Sequence, residues 1–156
     1  MDIQTIFGLQ FVLSLLVWGV LVGLLLSPWL AQKPLHEALL WLSLPHVFRH
    51  VGMVFLVPGV VHQPLPTEFA NAAAYGDLAT GLLALLAVIA LRSRWSVALA
   101  LVWLFNVVGT VDLANALRHL DVAPRFGAAW YIPTMLVPLL LVTHFLIFKR
   151  LLARGR

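Results

Sequence analysis

The 156-residue chain contains no cysteine. That excludes disulfides, thiolate metal centres and c-type haem attachment, and it leaves the redox compartment open. Charge is also scarce: 10% of residues are Asp, Glu, Lys or Arg, against about 25% in an average soluble domain. The only two lysines, Lys33 and Lys149, stand at the ends of apolar runs, so none is placed for an intramembrane Schiff base. No internal repeat of roughly 20–50 residues and no low-complexity segment is present.

Hydrophobicity is what remains. Apolar residues make up 62% of the chain and come in long blocks, which places it in the membrane class. Its length suits a single transmembrane domain over residues 1–156, with no separate soluble domain. The net charge of +4 is explained by basic residues at block ends, so no nucleic-acid partner is expected and the partner at hand is the lipid bilayer.

Five helices are predicted, at about 5–30, 35–60, 70–91, 95–119 and 128–152. The first is too long for a signal-peptide core and lacks a basic lead-in, so it reads as a retained span. Its Gly19 and Gly23 form a GxxxG, a face where an oligomer or membrane partner could approach closely. Pro45 falls inside the second helix and should bend it just before His46. Lys33, Arg92, Arg94, Lys149, Arg150, Arg154 and Arg156 collect on one side, and only Arg118 and Arg125 on the other. The positive-inside bias puts the N-terminus outside and the C-terminus in the cytoplasm, as in a multi-pass protein of a bacterial-type inner membrane. In number of spans and size the chain resembles the tryptophan-rich sensory proteins. The resemblance is of topology only, without their proline–tryptophan loop motifs, and nothing is carried over from it.

The stretch from Ser43 to Met53 holds His46, Arg49 and His50 inside the second span. At about 1.5 Å per residue, His46 and Arg49 lie within roughly 3 Å of the midplane. His50 is roughly 3 Å outward, Asp77 6 Å, Asp112 8 Å, Asn115 12 Å and Tyr131 13 Å. Thr143 and His144 alone lie on the inner half. Polarity therefore forms a wedge that opens outward. An arginine at that depth must face protein or water and find counter-charges, and Asp77 and Asp112 are the candidates. One guanidinium against two carboxylates then asks for a proton or a bound cation.

Several readings fit. The first is an outward-facing intramembrane cavity for a small amphiphilic ligand or cofactor of quinone, lipid or isoprenoid type. There Arg49 anchors an anionic or carbonyl oxygen, and His46, Asp77 and Asn115 line the site. His50 and Asp112 carry protons, and Tyr75 or Tyr131 caps it. The second is a b-type haem between His46 and His144, the one depth-matched imidazole pair on different helices. A proton-coupled small-solute carrier and a structural membrane subunit are further alternatives. A metal held by His46 and His50 at i, i+4 is a weaker match, because Arg49 between them repels a cation, and no metal site is assigned. Whether any bond is made or broken is left open.

Overall fold

The computed structural model describes residues 1–153; Arg154 and Arg156, counted above among the basic residues, lie outside them. Five long apolar helices, each able by length and composition to cross a membrane, make up the fold: α1 (Ile3–Ala31), α2 (Leu35–Leu56), α3 (Thr67–Arg92), α4 (Ala98–His119) and α5 (Gly127–Ala153). Helix α3 is central, packed against α2 on one side and α4 on the other; α5 touches both of those, and α1 leans on α5 from outside. The centre falls to α3 because its inward face is nearly bare of bulk: Ala70, Ala73, Ala74, Gly81, Ala84, Ala87 and Ala90 are all buried. Small residues at helical spacing let backbones come close. The peripheral α1 keeps most of its leucines and valines exposed.

The predicted helices are all present, with shifted ends. Helix α2 stops at Leu56 because Pro58 forces Val57 into an extended conformation. Helix α3 starts at Thr67, directly after Pro66, and closes at Arg92. Beyond it, Arg94 N–H bonds the Leu91 carbonyl and Trp95 N–H that of Ala90. Arg94 sits at φ 54°, where glycine is usual and a side chain costs about 1 kcal/mol. Asp2 caps α1 by accepting from the Thr5 N–H at 2.7 Å, and that bond holds its carboxyl below the ordinary carboxylate range.

Besides the 3-10 segments Leu117–Arg125 and Gly127–Trp130, two departures from α-winding lie just before prolines. The wide π turns Val22–Leu26 and Ile132–Leu136 contain the carbonyls that Pro28 and Pro138 cannot reach with an N–H. The third departure shapes the site. After Pro45, α2 remains α-helical to Val47 and then tightens into a 3-10 helix over Phe48–Leu56. Such runs rarely exceed three or four residues. At three residues per turn Arg49, Gly52 and Phe55 fall on one line, and all three are buried. In an α-helix Phe55 would lie about 120° round from Arg49.

Two cores fill the bundle. At the end bearing the termini of α2 and α4, Phe55, Phe69 and Phe126 meet with ring centroids 5.5–5.8 Å apart, and Phe7 joins from α1. The two loops at this end are stitched by His62 N–H to the Arg125 carbonyl (2.9 Å) and Ala128 N–H to the Val60 carbonyl (2.8 Å). At the other end Leu39, Leu42, Ala84, Ala87, Val102, Phe105 and Ile147 pack into a wholly apolar core. Among the described residues nothing comes within 4 Å of where a Cβ would stand on Gly19 or Gly23; both border a groove shared with Leu141, Val142, Phe145 and Leu146 of α5.

Candidate site around Arg49

Arg49 is 1% exposed and is the largest fully buried side chain among the described residues. Its guanidinium is engaged on three sides. Nε donates to Asp77 Oδ1 at 2.7 Å, Nη2 to Asp112 Oδ2 at 2.5 Å, and Nη1 to the Gly109 carbonyl at 3.1 Å. Both aspartates therefore pair with the one arginine, each as a short charge-assisted contact, and α2, α3 and α4 are tied together at one point.

Each charged group is admitted by a glycine on the helix it leans against. A Cβ on Gly52 would run into the Asp77 carboxyl and come 2.7 Å from its Cβ; one on Gly76 would run into the Asp112 carboxyl. A Cβ on Gly109 would stand 2.7 Å from Arg49 Nη1, 2.7 Å from Thr80 Cγ2 and 2.8 Å from His144 Cε1. The ion triad occupies space that three missing side chains leave.

A second polar group lies beside it. His144 Nδ1 is 2.6 Å from Asn106 Oδ1, and the Asn106 amide nitrogen donates back to the His144 carbonyl at 3.4 Å. That orientation makes Nδ1 the donor. Thr143 gives its hydroxyl proton to the Leu139 or Leu140 carbonyl, both 3.0 Å away, and so accepts from His46 Nε2 at 3.0 Å. Among the described residues, His46 Nδ1, His144 Nε2 and Thr80 Oγ1 are buried and have no partner.

A cavity of about 380 Å³ lies at the end carrying the Phe55–Phe69–Phe126 core; of the residues expected to form the wedge, Asp112 and Asn115 line it and His46, Arg49 and Asp77 do not. Asp112, Asn115, His119, Glu68 and Asp121 supply its polar lining and Phe69 an apolar wall. Asp112 also lines a smaller apolar recess with Phe55, Phe126, Ile132 and Val137, and Asp77 borders that recess and not the larger cavity. Asp112 thus stands between the guanidinium, the polar cavity and the recess.

Of the residues expected to gather at the site, His46, Arg49, Asp77, Asp112 and Asn115 are at the triad, next to it or on the cavity wall. Four expectations are corrected. Arg49 cannot anchor a ligand anion, because two carboxylates and a carbonyl already occupy it and no face of it is open. His50 does not share a face with His46: the 3-10 winding turns it outward, where its ring is exposed and bonds the Val47 carbonyl at 3.1 Å. It is neither a proton carrier beside Asp112 nor half of a metal pair. Tyr75 and Tyr131, 57% and 70% exposed, are not among the residues that line the Asp112 cavity and do not cap it. His46 and His144 cannot be the axial ligands of one haem, since their rings are in contact at 4.1 Å between centroids and no porphyrin passes between them. Asn106, Thr143 and the three glycine seats were not anticipated as site residues. The one signal for the seats was local: Gly76 directly precedes Asp77, and Gly109 lies three before Asp112.

Residues 6–152 match the family model described as Domain of unknown function (DUF8737), so the chain belongs to that family. No curated protein and no solved structure matches it.

Proposed function

We propose that this member of the family is a five-span membrane protein with its N-terminus outside and its C-terminus in the cytoplasm. Its outward cavity binds a small amphiphilic ligand whose head group is cationic or donates hydrogen bonds. The orientation draws on Lys33, Arg92, Arg94, Lys149 and Arg150 at one end against Arg118 and Arg125 at the other. A bacterial-type inner membrane is the setting that this bias suits. The open Gly19–Gly23 groove on α1 is where a second membrane segment would seat.

The observation that carries the ligand reading is the position of Asp112. It closes the ion triad on one side and lines the cavity on the other. With both aspartates ionised, the triad holds one negative charge in excess of Arg49. In a low-dielectric setting that excess calls for a proton or a ligand cation at Asp112, the triad carboxylate that lines the cavity. Glu68 and Asp121 at the rim add charge of the same sign, and the Phe69 ring offers a face for a cation. Asp112 is also the group able to pass a proton to or from the head group. The carrier alternative lacks a polar route through the inner, apolar core. A purely structural role draws support from the saturation of Arg49 and predicts an empty cavity.

The test is binding of decylamine and decanoate to the protein in nanodiscs. Decylamine should bind, decanoate should not, and Asp112→Asn should weaken decylamine about ten- to hundred-fold, the worth of a charged hydrogen bond. Asn115→Leu, which leaves the triad intact, should weaken it less. Equal binding of both probes, or of neither, overturns the reading.

A further inference from the structure

At the end of the bundle away from the acidic cavity, a notch of about 290 Å³ lies between the start of α2 and the end of α3. Arg92, Arg94, His36 and Glu37 are its charged or titratable lining. Glu37 is taken by Lys33 at 2.9 Å, and among the described residues neither arginine has a carboxylate within ion-pairing distance. The notch therefore presents two uncommitted guanidinium groups, whose planar forks suit pairs of oxygens on a phosphate. Its surroundings belong to a membrane interface. Trp29 and Trp41 meet edge to face at 5.5 Å, the Lys33 ammonium lies 5.0 Å over Trp29, and Trp95 is exposed beside Arg94. Arg94 also occupies a left-handed turn position that glycine would fill with less strain.

We propose that this notch binds the phosphate of an anionic phospholipid, with Arg92 and Arg94 as its ligands. The volume takes a head group and no more. The acyl chains would descend over Leu40 and Leu91, the apolar side of the notch. The inference rests on the reading that the chain spans a bilayer, and it is independent of what the outer cavity binds.

The experiment uses the full chain in phosphatidylcholine nanodiscs doped with phosphatidylglycerol, with retained lipid counted by native mass spectrometry. Phosphatidylglycerol should be retained in preference to phosphatidylcholine. Removing one arginine should cut the preference about five-fold, and Arg92→Gln with Arg94→Gln about twenty-five-fold. Arg94→Gly provides a readout that a structural role would not give: it relieves the turn and removes the ligand, so the melting temperature should rise while phosphatidylglycerol retention falls. Equal retention of both lipids, an unchanged preference in the double variant, or displacement by inorganic phosphate as effective as by lipid each overturns the site. Failure of the protein to insert into nanodiscs would remove the membrane reading and this site together; insertion without preference removes the site alone.

Discussion

Arg49→Gln is expected to destabilise the protein by about 3–5 kcal/mol, the usual consequence of removing one partner from a buried ion pair. The cost arises because Asp77 and Asp112 stay where they are, largely buried and 2.7 and 2.5 Å from a cation that no longer exists. Glutamine can donate to one carboxylate at most and supplies no charge. The measurement is thermal or denaturant unfolding of the detergent-solubilised protein. The triple variant Arg49→Gln, Asp77→Asn, Asp112→Asn should recover most of the loss, since neutral amides can satisfy one another without a stranded charge. Recovery separates the electrostatic account from one in which Arg49 acts only through its bulk. If the single variant melts with the wild type, the triad is not what holds α2, α3 and α4 together.

Gly52→Ala is the second large effect. A methyl group there meets not only the Asp77 carboxyl but its Cβ at 2.7 Å, so a turn of the carboxylate cannot relieve the clash and the backbones must part. Overpacking of this kind costs about 1–3 kcal/mol, and separating α2 from α3 also lengthens the Arg49–Asp77 contact. Gly76→Ala should cost less, because it meets only the carboxyl group of Asp112, with Cγ 2.6 Å away, and that group can turn. Gly8→Ala and Gly19→Ala are the controls: both positions are open, and in a helix alanine should be neutral or stabilising by up to about 1 kcal/mol. Unfolding midpoints measured in one detergent decide the matter, and equal midpoints for Gly52→Ala and Gly19→Ala would refute the glycine seats.

Much of the site was legible before any coordinates. A guanidinium within an apolar run has to be neutralised by whatever acids the other runs carry, and the chain has only Asp77 and Asp112 at comparable depth. What could not be read was how α2 winds there. The i, i+4 spacing of His46 and His50 assumes 3.6 residues per turn, and the 3-10 segment cancels that assumption, sending His50 outward and bringing Gly52 and Phe55 under Arg49. No local propensity announces nine residues of 3-10 helix. Arg49 and Gly52 hold it in place by both bearing on Asp77 of another helix. The haem reading failed for a related reason. His46 and His144 do lie side by side, but their direct ring contact, which position along a helix does not report, closes the gap a cofactor would need.

The sequence by itself determined the five apolar helices, their approximate limits and the need of one buried cation for an acid from another helix, because hydrophobic run length and the cost of an unpaired charge are properties of composition along the chain. Tertiary structure alone decided that both carboxylates reach the same guanidinium and leave it no free face, and that only Asp112 opens to the cavity. Those outcomes depend on how closely neighbouring backbones approach. That distance is set by which glycine lies opposite which aspartate, a relation between helices that no single stretch of chain contains.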